Sequence, residues 1–228
     1  MLKALRDKEH PDYLAVAFDV GKPTFRHEKF EQYKIQRKPM PDALIGQIPV
    51  VKRLLAAYRI PVFEQEGYEG EDVLATIAKR VVVKGLEVFL VTGDKDALQL
   101  VDNNTKVLNE PKNTLFDAGK VIEKYGVNPG QLVDYFALTG DKTDNVPGVK
   151  GIGEKTASKL IAEYGNLENL FDNIGKLPEN IKQKLSAGIN EARMSKKLVQ
   201  LDKHAEIEFS PEECRVREPN TEKLIPLL

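Results

Sequence analysis

The residues with the most chemistry to offer are carboxylates, and they cluster. Asp19 follows a short apolar run, Asp94 and Asp96 follow another, Glu69, Glu71 and Asp72 open a stretch of helical spacing, and Asp141 and Asp144 flank Lys142-Thr143 ahead of a glycine-rich turn. Glu69 and Asp72, three apart, share one helix face, and Glu71 stands off it, free to reach a second site. Acidic residues in a first helical turn often only complement the helix dipole, and Asp-Lys-Asp in a loop is often only solvated. All of these groups, however, map to one edge, where they would repel one another unless cations lay between them. Hard divalent ions with oxygen ligands, Mg²⁺ or Mn²⁺, suit such a set. Two ions roughly 4 Å apart would serve in-line phosphodiester hydrolysis.

The elements that must position these groups follow from the apolar pattern. Residues 13–18 (Tyr-Leu-Ala-Val-Ala-Phe), 60–63 and 87–92 read as short strands buried on both faces. Helical spacing over 43–58 and from Val73 to Val81 alternates with them. That rhythm predicts a parallel α/β sheet, whose C-terminal strand ends converge on a ligand crevice. Beyond Val107 the pattern becomes helical: Asn128-Pro129 opens one helix that Gly140 ends, and Ala157, Leu160, Ile161 and Tyr164 mark another. The expected organisation is an α/β core over 1–120 and a helical subdomain over 121–228, with the boundary near 112 to 128.

Between 22 and 38 the chain carries six Lys or Arg against two Glu, interleaved with aromatics. The run Pro147 to Ala157 contains Gly148, Gly151 and Gly153 with Lys150, Lys155 and, beyond it, Lys159. Gly-Lys-Ser/Thr is absent, so this is no Walker A loop. It suits a hairpin between helices whose backbone N–H groups approach a phosphate without reading sequence.

Composition sets looser bounds. With 34 Lys+Arg against 35 Asp+Glu the net charge is −1, so no global positive field draws a polyanion. The single cysteine, Cys214, rules out an intrachain disulfide and a thiolate zinc cluster, and points to a cytoplasmic location. No apolar run approaches the roughly 18 residues of a membrane span, no signal core opens the chain, and no repeat is present.

The motifs Phe18-Asp19, Phe25-Arg26, Tyr33-Lys34-Ile35-Gln36-Arg37, Tyr68 to Leu74, Thr92-Gly93-Asp94-Lys95-Asp96, Gly140 to Val149 and Gly151 to Ala157 occur in this order. In this the chain resembles the 5′-nuclease domain of bacterial DNA polymerase I, a relative of the flap endonucleases, from about Leu14 to Leu201. The resemblance implies a PIN-like parallel-sheet core with a helix–hairpin–helix at about 130–165. It implies a monomeric 5′–3′ exonuclease and flap endonuclease of replication and repair. The substrate would be duplex DNA with a 5′ end, nick or 5′ flap, and a polymerase domain a possible neighbour in the full-length protein.

On that resemblance Asp19, Glu69 and Glu71 would surround one ion, and Asp94, Asp96 and Asp144, with Glu71 shared, the second. Asp72 and Asp141 would lie just outside. Lys34 and Arg37, with Arg26 behind, would form a basic arch at about 22–45 that steadies the scissile phosphate, and Tyr33 would stack on a base or pack. Gly148, Lys150, Gly151, Gly153, Lys155 and Thr156 would grip the downstream duplex. Glu71 replaces the Asp more usual in bacterial members, as in flap endonucleases. The resemblance also implies a leading strand ending in an Asp-Gly whose Asp binds metal. Nothing before Tyr13 matches it, because Asp7 and Asp12 follow no apolar strand. A metal set short of one carboxylate is therefore expected, and with it an alternative: a branched-DNA-binding module without turnover. A structural Ca²⁺ site is disfavoured, because no Asp-x-Asp-x-Asp-Gly loop is present.

Overall fold

The structure is a computed structural model describing residues 2–227; Met1 and Leu228 lie outside the described residues. The first half runs α1 (Leu2–Glu9), β1 (Val16–Ala17), α2 (Phe25–Lys29), α3 (Asp42–Ile45), α4 (Ile48–Ala57), β2 (Val62–Phe63), α5 (Gly70–Val82), β3 (Val88–Val91), β4 (Thr105–Asn109) and β5 (Thr114–Phe116). The second half is helical: α6 (Ala118–Tyr125), α7 (Leu132–Thr139), α8 (Glu154–Tyr164), α9 (Leu167–Asp172), α10 (Glu179–Ala187), α11 (Ile189–Val199) and α12 (Thr221–Leu224).

The α/β rhythm is present, but one continuous parallel sheet is not. β1 pairs parallel with β2 (Val16 opposite Val62), and β3 pairs parallel with β4 (Val88 opposite Thr105). These are separate sheets of two and three strands, and α5 packs against both β1 and β3. The run 13–18 yields only two ladder residues, with Tyr13 bridging instead to Arg215. The helical stretch expected over 43–58 breaks between α3 and α4, near Gly46 and the proline that opens α4.

The helical reading beyond Val107 is corrected by the hairpin β4–β5, whose strands run antiparallel with Val107 opposite Phe116. A 3₁₀ turn at Glu110–Lys112 reverses the chain. The Asn109 side chain accepts a hydrogen bond from the Lys112 N–H, and Asn113 takes the left-handed conformation that asparagine tolerates.

α5 starts where a reciprocal cap satisfies its free amides: the Glu69 side chain accepts from the Asp72 N–H, and the Asp72 side chain from the Glu69 N–H. Its apolar residues divide between two clusters. Ala75 and Ala78 join Leu90 and Val107 in a large core that continues through Leu132, Phe136, Ile161 and Leu198 of the helical half. Val73 joins Phe63, Ala205, Ile207 and Cys214 in a smaller one. The loop between α7 and α8 is closed by glycines. Gly140 and Gly148 both have positive φ (70° and 62°) and lie so close that a Cβ on Gly148 would run into the Gly140 backbone. Among the described residues no helix is long and apolar enough to cross a membrane.

Candidate active site

Four chain segments bring the carboxylates together. Asp19 stands just past β1, and its Oδ1 accepts a hydrogen bond from the Gly70 N–H at 2.6 Å, which ties the first strand's exit to the start of α5. Glu71 is one residue further on. Burial first, then Asp94 and Asp19, push its carboxyl up from 4.5 to about 7. Asp94 follows β3 and turns its Oδ1 back onto the Asp96 N–H at 2.8 Å. Asp96 is pushed well above the usual carboxylate range by burial and then by Asp94, and its Oδ1 is buried with no hydrogen-bond partner.

Cations lie across the remaining carboxylates. Lys34 Nζ is 2.5 Å from Glu69 Oε1 and 3.7 Å from Asp144 Oδ2. The Lys34 backbone is itself held, its N–H donating to the Asp144 carbonyl at 2.9 Å, and its φ is +55°. Arg37 reaches Asp144 Oδ1 at 2.6 Å. Lys95 pairs with Asp141 at 3.0 Å. Burial alone would push Asp141 up, but Lys95 and the Thr143 N–H outweigh it and hold the carboxyl below its usual value. Among the described residues no three carboxylate, imidazole or thiol groups already converge as a metal ion would require. The donor set nonetheless fits a hard cation: all-oxygen, mutually repelling, with one buried oxygen unsatisfied.

Two expected roles, those of Asp72 and Arg26, are corrected, and Tyr33 takes the packed one of its two alternatives. Asp72 is fully buried. Its oxygens accept from the Arg26 guanidinium at 2.7 and 2.8 Å, the Glu69 N–H at 3.0 Å and the Asp202 N–H at 2.8 Å, so no lone pair faces an ion. Arg26, assigned to DNA, is 1% exposed and donates its other hydrogens to the carbonyls of Leu198 and Gln200. Tyr33, the candidate stacking surface, is packed in the core, its hydroxyl donating to Glu69 at 3.3 Å. Gly148 also faces inward, its N–H donating to Ser195 Oγ at 2.9 Å. Lys150, Gly151, Gly153 and Lys155 are exposed and Thr156 half-buried around the start of α8. The sequence reading missed Lys95 as a partner of Asp141, and missed Lys112, Lys124 and Tyr125, which line a cleft of about 350 Å³ beside Asp94, Asp141 and Asp144. Only the motif-free position of these basic residues, at a turn and at a helix end, could have marked them.

Carboxylates crowded at the ends of parallel strands, with the protein's own cations across them and a glycine-closed turn between helices alongside, form an oxygen-rich site of the kind suited to a divalent cation and a phosphate. Comparison with known proteins narrows the class. Residues 1–126 match the 5′-3′ exonuclease N-terminal resolvase-like domain, and 127–222 match the 5′-3′ exonuclease C-terminal SAM fold. The chain is 42% identical over 228 residues to DNA polymerase I of Caldicellulosiruptor bescii, covering 97% of this chain and 27% of that one. It is 41% identical over 224 residues to the 5′-3′ exonuclease of Aquifex aeolicus, covering 98% of this chain and 76% of that one. A bacteriophage T5 flap endonuclease solved with DNA and metal ions superposes with a TM-score of 0.75 at 26% identity, over 87% of this chain and 78% of that one. The chain belongs to the 5′-3′ exonuclease family. It spans about a quarter of the length of the polymerase it matches.

Proposed function

We propose that this chain is a divalent-cation-dependent 5′-nuclease that cleaves DNA at a 5′ end, nick or 5′ flap and leaves a 5′-phosphorylated fragment. The observation that carries the reading is the acidic site at the strand ends, where Asp96 keeps a buried oxygen unsatisfied and Asp94 and Asp19 crowd the buried Glu71. Asp19, Glu69 and Glu71 would hold one ion, and Asp94, Asp96 and Asp144 a second, with Asp141 kept in place by Lys95. Divalent cations such as Mg²⁺ or Mn²⁺ held by these residues would supply an activated water and offset charge on the leaving oxygen. Lys34 and Arg37 lie on Glu69 and Asp144, at the rim of this site. Their role is to stabilise the negative charge that develops on the scissile phosphate.

The exposed glycines 151 and 153, with Lys150, Lys155 and Thr156, bind the duplex backbone without sequence preference. The core over 1–120 thus carries the chemistry and 121–228 the grip. The T5 flap endonuclease's complex with DNA and the polymerase relatives support action on DNA. The reading adds a monomer that works in the cytoplasm, in primer removal and repair beside a polymerase.

A second reading has one observation behind it: the described residues preassemble no three-donor metal group, and lysine and arginine side chains already cover Glu69, Asp141 and Asp144. On that reading the chain only binds branched DNA. A 5′-labelled flap duplex with Mg²⁺ separates the two. The nuclease releases a short labelled fragment, and replacing Asp94 and Asp96 together by Asn abolishes release while binding persists. Binding without release by the unaltered chain would sink the nuclease reading.

A further inference from the structure

The cleft of about 350 Å³ beside the carboxylates has a second wall for which the proposed chemistry gives no role. Its lining brings Asp94, Asp141 and Asp144 together with apolar Leu98, Val107 and Phe116 and with Lys112 and Lys124. The cleft's other cations are engaged: Arg37 on Asp144 at 2.6 Å and Lys95 on Asp141 at 3.0 Å. Among the described ion pairs, Lys112 and Lys124 have no carboxylate partner.

Both lysines are exposed, and each stands on a defined local structure. Lys112 sits at the tip of the β4–β5 hairpin, where its N–H donates to the Asn109 side chain at 3.2 Å and the turn is completed by left-handed Asn113. Lys124 sits in the last turn of α6, with its ammonium 5.1 Å from the Phe116 ring centre and 4.9 Å from that of Tyr125. The Tyr125 ring is itself held edge-on by Tyr135 and Phe136. Partial burial, then the proximity of Lys112 and Lys95, depresses the Lys124 ammonium, and Glu154 only partly offsets this. Two neighbouring ammonium groups whose mutual repulsion Glu154 only partly offsets favour an anion between them.

An isolated anion would be repelled by the carboxylates opposite. A polyanion whose adjacent phosphate already lies with cations at those carboxylates would not. The volume is near the lower end of small-ligand sites, about 300–1,000 Å³, which suits one nucleotide and not a duplex. We propose that Lys112 and Lys124 form a phosphate-binding wall for a single unpaired nucleotide of the substrate strand, next to the phosphate that reacts. The proposal rests on the nuclease reading above for the identity of that strand.

The test compares the unaltered chain with the double variants Lys112→Ala/Lys124→Ala and Lys112→Arg/Lys124→Arg. Binding of a 5′-flap duplex and of a 5′-phosphorylated oligothymidylate is measured in Ca²⁺ across 50–200 mM salt. The alanine pair should bind about tenfold more weakly. Its slope of log affinity against log salt should be shallower by about 1.4, the loss of two single-strand phosphate contacts. The arginine pair should retain the parent slope. An unchanged slope with affinity within twofold overturns the proposal. So does an equal loss in the arginine pair, which would assign the lysines to packing on Phe116 and Tyr125. Failure of the unaltered chain to cleave the flap removes the nuclease reading alone, because the slopes still decide the lysines' role; failure to bind either DNA overturns both.

Discussion

At Glu71 a proton and a divalent ion compete for the same oxygens. Its carboxyl titrates near 7 in the folded protein without metal and near 4.5 when exposed, because burial and then Asp94 and Asp19 disfavour the charge. The folded state therefore binds the extra proton. This contribution to stability is fully present below about pH 4.5 and is lost as pH rises through about 7. Melts in a chelator should show the protein losing stability between pH 5 and pH 8, Glu71→Gln should flatten that trend, and Mg²⁺ at pH 8 should restore the loss. An unchanged pH profile in Glu71→Gln would remove Glu71 from the coupling.

Lys34 makes a second argument at this scale. Its left-handed backbone (φ +55°) costs any residue with a Cβ, alanine included, about 1–2 kcal/mol that glycine escapes. Lys34→Ala and Lys34→Gly should both lose about 10²- to 10³-fold in flap cleavage, as loss of a charge-stabilising group does. The glycine variant should nevertheless be the more stable by about 1 kcal/mol. Equal stabilities measured in urea would show that the turn at Lys34 is not strained.

Among the elements, α2 and α5 are joined by the buried pair Arg26–Asp72, with Nη1 2.7 Å from Oδ2. Arg26→Met strands a buried carboxylate and should cost about 3–5 kcal/mol, whereas Arg26→Met with Asp72→Leu should recover only part of it, because the Glu69 and Asp202 N–H groups lose their acceptor. Urea unfolding of the three proteins checks this. The pair also shows where sequence reading stops. A basic residue amid Lys29, Lys34 and Arg37 reads as exposed, and nothing local signals partners 46 and 172 positions away. Features set by neighbouring residues were legible: the strand–helix rhythm, the acidic start of α5, and the glycine turn, where Gly140 and Gly148 pack backbone on backbone. The β4–β5 hairpin was missed although Pro111 and Asn113 are turn residues, because its strands are three to five residues long and their apolar spacing also fits a helix. The carboxylates were legible as a set. The cations that cover them were legible only as a basic stretch, since each pairing is long-range.

In the whole molecule the two family-matched halves share one core: Leu90 and Val107 of the sheet pack in the same cluster as Phe136, Ile161 and Leu198. A chain cut after residue 126 should therefore show no cooperative melt by circular dichroism. A sharp two-state transition in that fragment would show that the first half stands alone. The lock at Arg26 carries this into the order in which the protein is made. The first half leaves the ribosome early, but its buried guanidinium needs the carbonyls of Leu198 and Gln200, which are synthesised 172 and 174 residues later. Until they emerge, the acidic site has no finished scaffold beneath it. The carboxylates gathered around α5 are thus not fixed in place until the end of α11 has been translated.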